Sequence, residues 1–464
     1  MKSNPFRLIF FLSSVILLSS CLGTTTTTDA SSDPGFVSLK FAANDSIPYL
    51  SSAVFTLDGK TITNVDSLPF NTRIDSVYPT FTFTSSAGIK YYIPATGYKY
   101  KNKKDFAFIT GTDTIDFRQP IRLVNYAANA KDSIEYTVNV NVHQVDPELY
   151  NWASVSGNLN SSNSVSQKTI LLNDKFCYYQ NDGSATTLNT SLDGYNWSTG
   201  SVTGLPANAE LTTMLQLNGK LFLLQNGSMY SSVDGQTWTN HVCTPVNYTY
   251  KTLLVTLNDS LRAVVQSADQ SYRFAGSKDG LTWFINNKVA VPTNFPISDF
   301  ASVSFNAPTG KSRALVLQGS TTTGANRNNW STEDGYYWLN FANENHTLDT
   351  LSTGPSVISY DSKLFVFGTR NDTITSFYKV STDEGLSWKK LDPLKNKLPA
   401  GYSPRTYQSV VVFKPLALKG VQPDGLKQQI LQSNRIFIIG GKSGSTSYSD
   451  VWTGKLNRKN FLRQ

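Results

Sequence analysis

Five times along the chain a hydroxyl residue, a carboxylate, a glycine and a tryptophan recur in one order. The copies are "TSLDGYNW" ending at Trp197, "SSVDGQTW" at Trp238, "GSKDGLTW" at Trp283, "STEDGYYW" at Trp338 and "STDEGLSW" at Trp388. Their acids are Asp193, Asp234, Asp279, Asp334 and Asp383; the last is one residue further from its tryptophan than the others. A carboxylate placed beside a reacting group can act as a general acid or base. Five acids, each locked in its own turn, do not make one catalyst. The same residue types suit a staple: the Asp accepts hydrogen bonds from its own turn, the Gly supplies positive φ, and the indole fills the gap between neighbouring sheets.

Other chemistry is thinly represented. His143, His241 and His346 are scattered, with no Cys or His at ligand spacing, so neither a metal site nor a cofactor is expected. Cys177 and Cys243 could form one bridge or stay as two buried thiols. The formal charge of +8 falls to +6 without Lys2 and Arg7, and the excess is spread thinly. Its two clusters, "KYKNKK" at 99–104 and "KLNRKNFLR" at 455–463, read as solvated faces, and no nucleic-acid partner is expected.

The elements that would carry these residues are strands. Charged residues make up only 16%, and no window sustains a long helical apolar period. From residue 146 onward an apolar strand, a tight turn, a second strand, a loop, a third strand, the motif and a fourth strand recur together. Asn218-Gly219 between apolar runs is a strong hairpin signal, with equivalents at Asn173-Asp174, Asn258-Asp259, Asp361-Ser362 and Asn434-Arg435. With weaker copies at Trp152 and Trp452, the tryptophans are 45, 41, 45, 55, 50 and 64 residues apart. Four antiparallel strands per repeat of this length predict a six-bladed β-propeller over 146–464. The strand "WASVSG" is expected to supply the outer strand of the last blade.

Ahead of it, alternating runs such as "FVSLKFA", "TFTFT" and "EYTVNVNVH" predict an immunoglobulin-like β-sandwich over 36–145. Residues 21–35 have a Thr/Ser/Asp/Gly composition that reads as a disordered tether. Lys2, Arg7, the apolar run at 8–18 and Leu18-Ser19-Ser20-Cys21 read as a lipoprotein signal peptide over 1–20. Cys21 is then the lipidated residue and the acyl chains the membrane anchor.

The Ser-x-Asp-x-Gly-x-x-Trp pattern at 381–388 resembles the Asp-box of sialidase-type and other propellers. "NRIFIIGGKSGSTSYSDVW" at 434–452 and "SPRTYQSVVVF" at 403–413 are similar to kelch repeats. Taken together, the chain resembles sandwich-plus-propeller lipoproteins of Gram-negative gut anaerobes. That resemblance implies that the motif lies at the outer rim, on the turn between third and fourth strands. It also marks departures: there is no Arg-Ile-Pro near Trp152, no matching trio of arginines for a sialidase, and no cysteine–tyrosine–histidine constellation for a kelch-type copper oxidase.

Function is expected on the loops between blades, which carry Glu210, Tyr248, Tyr250, Phe295, Asp299, His346, Asp349, Tyr402, Arg405 and Tyr407. Aromatic faces with a few polar groups suit a carbohydrate or a peptide. Tyr248, Tyr250, Phe295, Tyr402, Arg405 and Tyr407 are therefore the candidate ligand-binding residues. The expectation is a monomeric, lipid-anchored envelope protein of the outer membrane, facing periplasm or exterior, whose non-catalytic propeller binds a glycan or a protein. The alternatives are a divergent glycoside hydrolase or lyase using Glu210, Asp299 and Asp349, or an architectural subunit of an envelope complex.

Overall fold

The structure, a computed structural model, describes residues 29–47, 49–92, 107–108, 114–160, 163–341, 348, 354–369, 376–390, 398, 401–413 and 434–457. The expected signal peptide, Cys21, the cluster at 99–104, His346 and Asp349 lie outside the described residues. The chain is all-β and parts into two units between Val145 and Asp146.

In the first unit the strands Phe36–Phe41 and Pro79–Phe83 form a two-stranded sheet. A second sheet runs in the order Phe55–Asp58, Thr61–Asn64, Ser133–Asn139, Ile121–Tyr126, Gly88–Tyr92 and Ala107–Phe108. Leu39 and Phe41 of the first sheet share a core with Ile62, Ile121, Leu123, Tyr136 and Val138 of the second. Alternation along each strand drives this layering, because period-2 apolar positions all face one side. One pairing was not legible from the alternation: Thr61–Asn64 runs parallel to Ser133–Asn139.

Among its described residues the second unit holds six four-stranded antiparallel sheets. Their first strands are Ser166–Leu172, Leu215–Leu217, Thr249–Thr256, Ala301–Asn306, Ser356–Tyr360 and Ser409–Phe413. Each first strand touches the first strand of the next sheet, and the sixth touches the first, so the sheets close into a ring. The sixth sheet is completed by Tyr150–Ser156, which pairs antiparallel with Thr446–Leu456 and ties both ends of the unit together. A closed ring leaves no long unpaired edge.

The tight turns behave as their residues require. Asn173 and Asp174, Asn218 and Gly219, and Asp361 and Ser362 all have positive φ, joining Leu172 to Lys175, Leu217 to Lys220, and Tyr360 to Lys363. Two consecutive left-handed residues match the right-handed twist of the flanking strands.

Apolar clusters fill the gaps between neighbouring sheets. Trp238 packs with Leu172, Cys177 and Tyr179 of sheet 1 and Leu221 and Leu223 of sheet 2. Trp283 lies among Phe222, Leu224, Tyr250 and Leu253 of sheets 2 and 3. Trp197 lies against Phe176 of sheet 1 and Phe437 of sheet 6, Trp338 in the cluster between sheets 3 and 4, and Trp388 in that between sheets 4 and 5. Every one of these indoles therefore joins its own sheet to the preceding one.

Candidate functional site

The repeated turn is built alike five times. Its hydroxyl residue ends the third strand and its tryptophan immediately precedes the fourth. In sheet 3, Ser277 Oγ donates to Asp279 Oδ1 at 2.9 Å and accepts from Gly280 N at 2.8 Å. Asp279 Oδ1 also accepts from the amides of Leu281 at 2.8 Å and Thr282 at 2.7 Å. Asp193, Asp234 and Asp334 accept the matching amides, and Asp383 accepts the amide of Ser387. Burial works to raise the Asp279 pKa, yet the amides of Thr282 and Leu281 hold it below the usual carboxylate value. Oδ1 of this carboxylate is thereby committed to its own turn.

The glycine of each turn explains its own place. Gly280 has φ +79°, and a Cβ there would lie 2.2 Å from Phe222 Cε1 on the second strand of sheet 2. Gly194, Gly235, Gly335 and Gly385 approach Phe437, Tyr179, Arg262 and Leu315 in the same manner. Each turn is thus pressed against the second strand of the preceding sheet, and Gly194 on Phe437 carries that contact across the closure.

The candidate ligand-binding aromatics divide sharply. Tyr250 and Phe295 are 3% and 1% exposed; Tyr250 packs on Trp283, and Phe295 packs on Phe274, Trp330 and Trp338. They belong to the cores between sheets, because an aromatic near a strand start is drawn into the apolar gap. Arg405 is also a correction. Its guanidinium is buried in a bidentate pair with Asp450, between the rings of Tyr402 at 4.4 Å and Tyr448 at 3.9 Å. Tyr402 packs on Trp452, and Tyr248 donates to Asn287 Oδ1 at 3.2 Å. Of the six, Tyr407 alone lines the central cavity.

That cavity, about 950 Å³, is walled by the first strands of all six sheets. Tyr407, two residues ahead of the sixth first strand, donates its phenol to Asp299 Oδ1 at 2.8 Å. Asp299 stands two residues ahead of the fourth first strand, and Gly354 two ahead of the fifth. All three have left-handed φ, +57° for Asp299 and Tyr407 and +66° for Gly354. Left-handed backbone at a non-glycine residue costs about 1–3 kcal/mol and persists where its surroundings over-determine it. Here Tyr407 N donates to Gly354 O at 2.9 Å, and the ring lies so close to Gly354 that a Cβ would be 2.4 Å from Cδ1. Burial raises the Tyr407 pKa, and the acceptor Asp299 and the charges of Asp299 and Glu210 raise it further, so the phenol stays a donor.

Glu210 lines the same cavity. Its Oε1 accepts from Ser166 Oγ at 3.0 Å and Thr212 Oγ1 at 2.7 Å, while Ser166 Oγ accepts from Leu211 N at 2.8 Å. Lys442 donates to the carbonyl of Val165; burial lowers its pKa and Glu210 partly restores it. Glu210 and Asp299, the carboxylates expected across the channel, do share it, whereas Asp349 lies outside the described residues. Sequence reasoning missed Lys168, Lys251 and Lys442. The available signal was a lysine interrupting an apolar first strand, as in "SQKTILL" and "TYKTLLVT". Cys177 and Cys243 are separate buried thiols, each pushed by burial up to about 11.

A ring of four-stranded sheets around a central channel defines a β-propeller protein. Residues 146–464 match the DUF6242 beta propeller domain and residues 22–140 the DUF6242 N-terminal domain, and the chain belongs to the DUF6242 family. Among curated proteins none matches it. Solved structures similar to it include YjhT, at 11% identity and TM-score 0.41 over 64% of this chain and 96% of that one. The SapL1 lectin in complex with alpha methyl fucoside has 13% identity and TM-score 0.38 over 64% and 99%. Trypanosoma rangeli sialidase has 10% identity and TM-score 0.41 over 67% and 60%. Similarity at that level carries no statement about activity.

Proposed function

We propose that this chain is a lipid-anchored cell-envelope protein whose propeller binds a carbohydrate, without cleaving it, at the mouth of the central channel. The reading rests on one observation: Glu210, Asp299 and Tyr407, from three different sheets, converge with Lys442 on one open cavity of about 950 Å³. A sugar presents hydroxyls that donate and accept at once, so it needs carboxylates and ammonium groups side by side, held in fixed positions. The strained backbone at Asp299 and Tyr407 fits such a preset site. The five repeated turns act as Asp-boxes in this reading, staples of the rim that take no part in binding.

The test is a glycan array followed by titration calorimetry on the hits, with Asp299→Asn and Tyr407→Phe beside the unaltered chain. Specific binding weakened by both variants, each still unfolding in one cooperative transition, supports the reading; hits indifferent to both place the site elsewhere. Reducing-end release from the same glycans, lost on Glu210→Gln, favours the hydrolase alternative that two carboxylates on one channel keep open. Lipid anchoring is tested by palmitate labelling of the chain and of Cys21→Ala; label that survives the change removes Cys21 from its role.

A further inference from the structure

Five charged side chains line the central cavity: Lys168, Lys251 and Lys442, with Glu210 and Asp299. Both carboxylates are already supplied with donors, Asp299 by Tyr407 and Ser298, and Glu210 by Ser166 and Thr212. Lys442 is engaged by the Val165 carbonyl and faces Glu210. Lys168 and Lys251 differ. Neither has a carboxylate within ion-pair reach among the described residues.

Lys168 sits in the third position of Ser166–Leu172, half-buried in the wall of the ring. Burial alone acts on its ammonium, lowering its pKa with no opposing charge. Removing an ammonium from water without a partner is costly, and a strand position of this kind otherwise takes a small or apolar residue. Lys251 is the third residue of Thr249–Thr256, two sheets further round the same channel, and its side chain is exposed. Lys168 and Lys251 line the same concave cavity as Lys442 with neither in an ion pair among the described residues, and the three lysines outnumber the two carboxylates there, a surplus of positive charge.

We infer that the channel ligand is an anionic sugar, its acid group held by Lys168 and Lys251 while its hydroxyls meet the polar mouth at Asp299, Tyr407 and Glu210. The inference rests on the carbohydrate reading above and narrows it to one chemical class. Lysine recognises an acid group as a point charge, so both a carboxylate and a sulfate ester fit. Ser302, Ser304 and Ser359, on the fourth and fifth first strands, add further hydroxyl groups to the lining of the same cavity.

The full chain is titrated with oligosaccharides of equal length that are glucuronate-bearing, sulfate-bearing or uncharged, and with an oligoglutamate peptide. Tighter binding of either acidic sugar than of the uncharged one, by tenfold or more and weakening as salt rises, is the expected result. Which acidic sugar binds better distinguishes carboxylate from sulfate. Lys251→Gln, a change at an exposed side chain, is expected to lower the affinity at least fivefold; Lys168→Gln does the same if it melts normally, and Lys220→Gln on an outer turn does not.

Equal affinity for charged and uncharged sugars overturns the inference while leaving the carbohydrate reading in place. Full affinity in Lys251→Gln does the same. Tighter binding of oligoglutamate than of any sugar overturns both, as does the absence of binding to every probe.

Discussion

Tyr407 donates a hydrogen bond of 2.8 Å to Asp299 Oδ1, and 108 residues of chain separate the two. One stands before the sixth sheet, the other before the fourth, and the ring of Tyr407 reaches over Gly354 of the fifth to make the bond. Two residues with left-handed backbone are thereby fixed against each other at the channel mouth.

Replacing Tyr407 with Phe removes that donor and leaves Asp299 with Ser298 Oγ at 3.1 Å. The bond contributes about 1.5 kcal/mol to folding stability, and releasing Asp299 from its fixed position at the channel mouth is expected to lower ligand affinity about tenfold. Calorimetry checks it, and an unchanged dissociation constant removes the pair from the binding site.

Gly280→Ala places a methyl group 2.2 Å from the Phe222 ring in a backbone of φ +79°. Overpacking and left-handed strain together are expected to cost about 2–4 kcal/mol. A denaturant titration reads this directly. Gly310→Ala, at φ +80° with nothing within 4 Å, separates the backbone share from the packing share.

Arg405→Met breaks a buried ion pair and leaves Asp450 without its guanidinium. Loss of one partner from such a pair is expected to cost about 3–5 kcal/mol. If Arg405 instead served a ligand, the variant would keep its stability and lose only binding; equal melting temperatures would falsify the structural role.

Asp234 bears on acid stability. The amide of Thr237 depresses its pKa most, burial opposes it, and the amide of Gln236 with the hydroxyls of Ser232 and Thr237 keeps the net shift downward. A folded pKa below the unfolded value of about 3.9 gives stability that is full above that value and lost as pH falls through the folded one. Asp234→Asn is therefore expected to be less stable at pH 7 by about 1 kcal/mol, a modest figure because the side chain is exposed, with the gap closing toward pH 2. A constant gap across the pH range contradicts this.

Cys177 and Cys243 are buried, with thiol pKa values pushed up to about 11. Thiolate is the reactive form, so both are expected to resist iodoacetamide at pH 8 in the folded protein and to alkylate fully in denaturant. Peptide mapping by mass spectrometry checks each site.

Local chemistry was legible wherever a residue acts on its neighbours in the chain. The five motif copies gave the turn, the order of strands around it and the need for glycine, because Asp279 bonds the amides of Leu281 and Thr282 two and three residues on, just as Asn173 and Asp174 shape their own turn by positive φ. Period-2 alternation likewise gave strands in both units. The strand of Tyr150–Ser156 was legible as the completing strand of the last sheet because six intervals between tryptophans left one strand over.

What the sequence could not decide is which side chain at a strand start turns toward the channel and which toward a neighbouring sheet. Tyr250, Phe295 and Tyr407 look alike as aromatics in loops between sheets, yet only Tyr407 lines the cavity. Both faces of every sheet in the ring are covered by neighbours distant in sequence, so the destination of an aromatic depends on the gap those neighbours leave. Only the packing of successive sheets around the channel brings Asp299, Gly354 and Tyr407 together, and it alone places Lys168 and Lys251 on the same cavity without an ion-pair partner among the described residues.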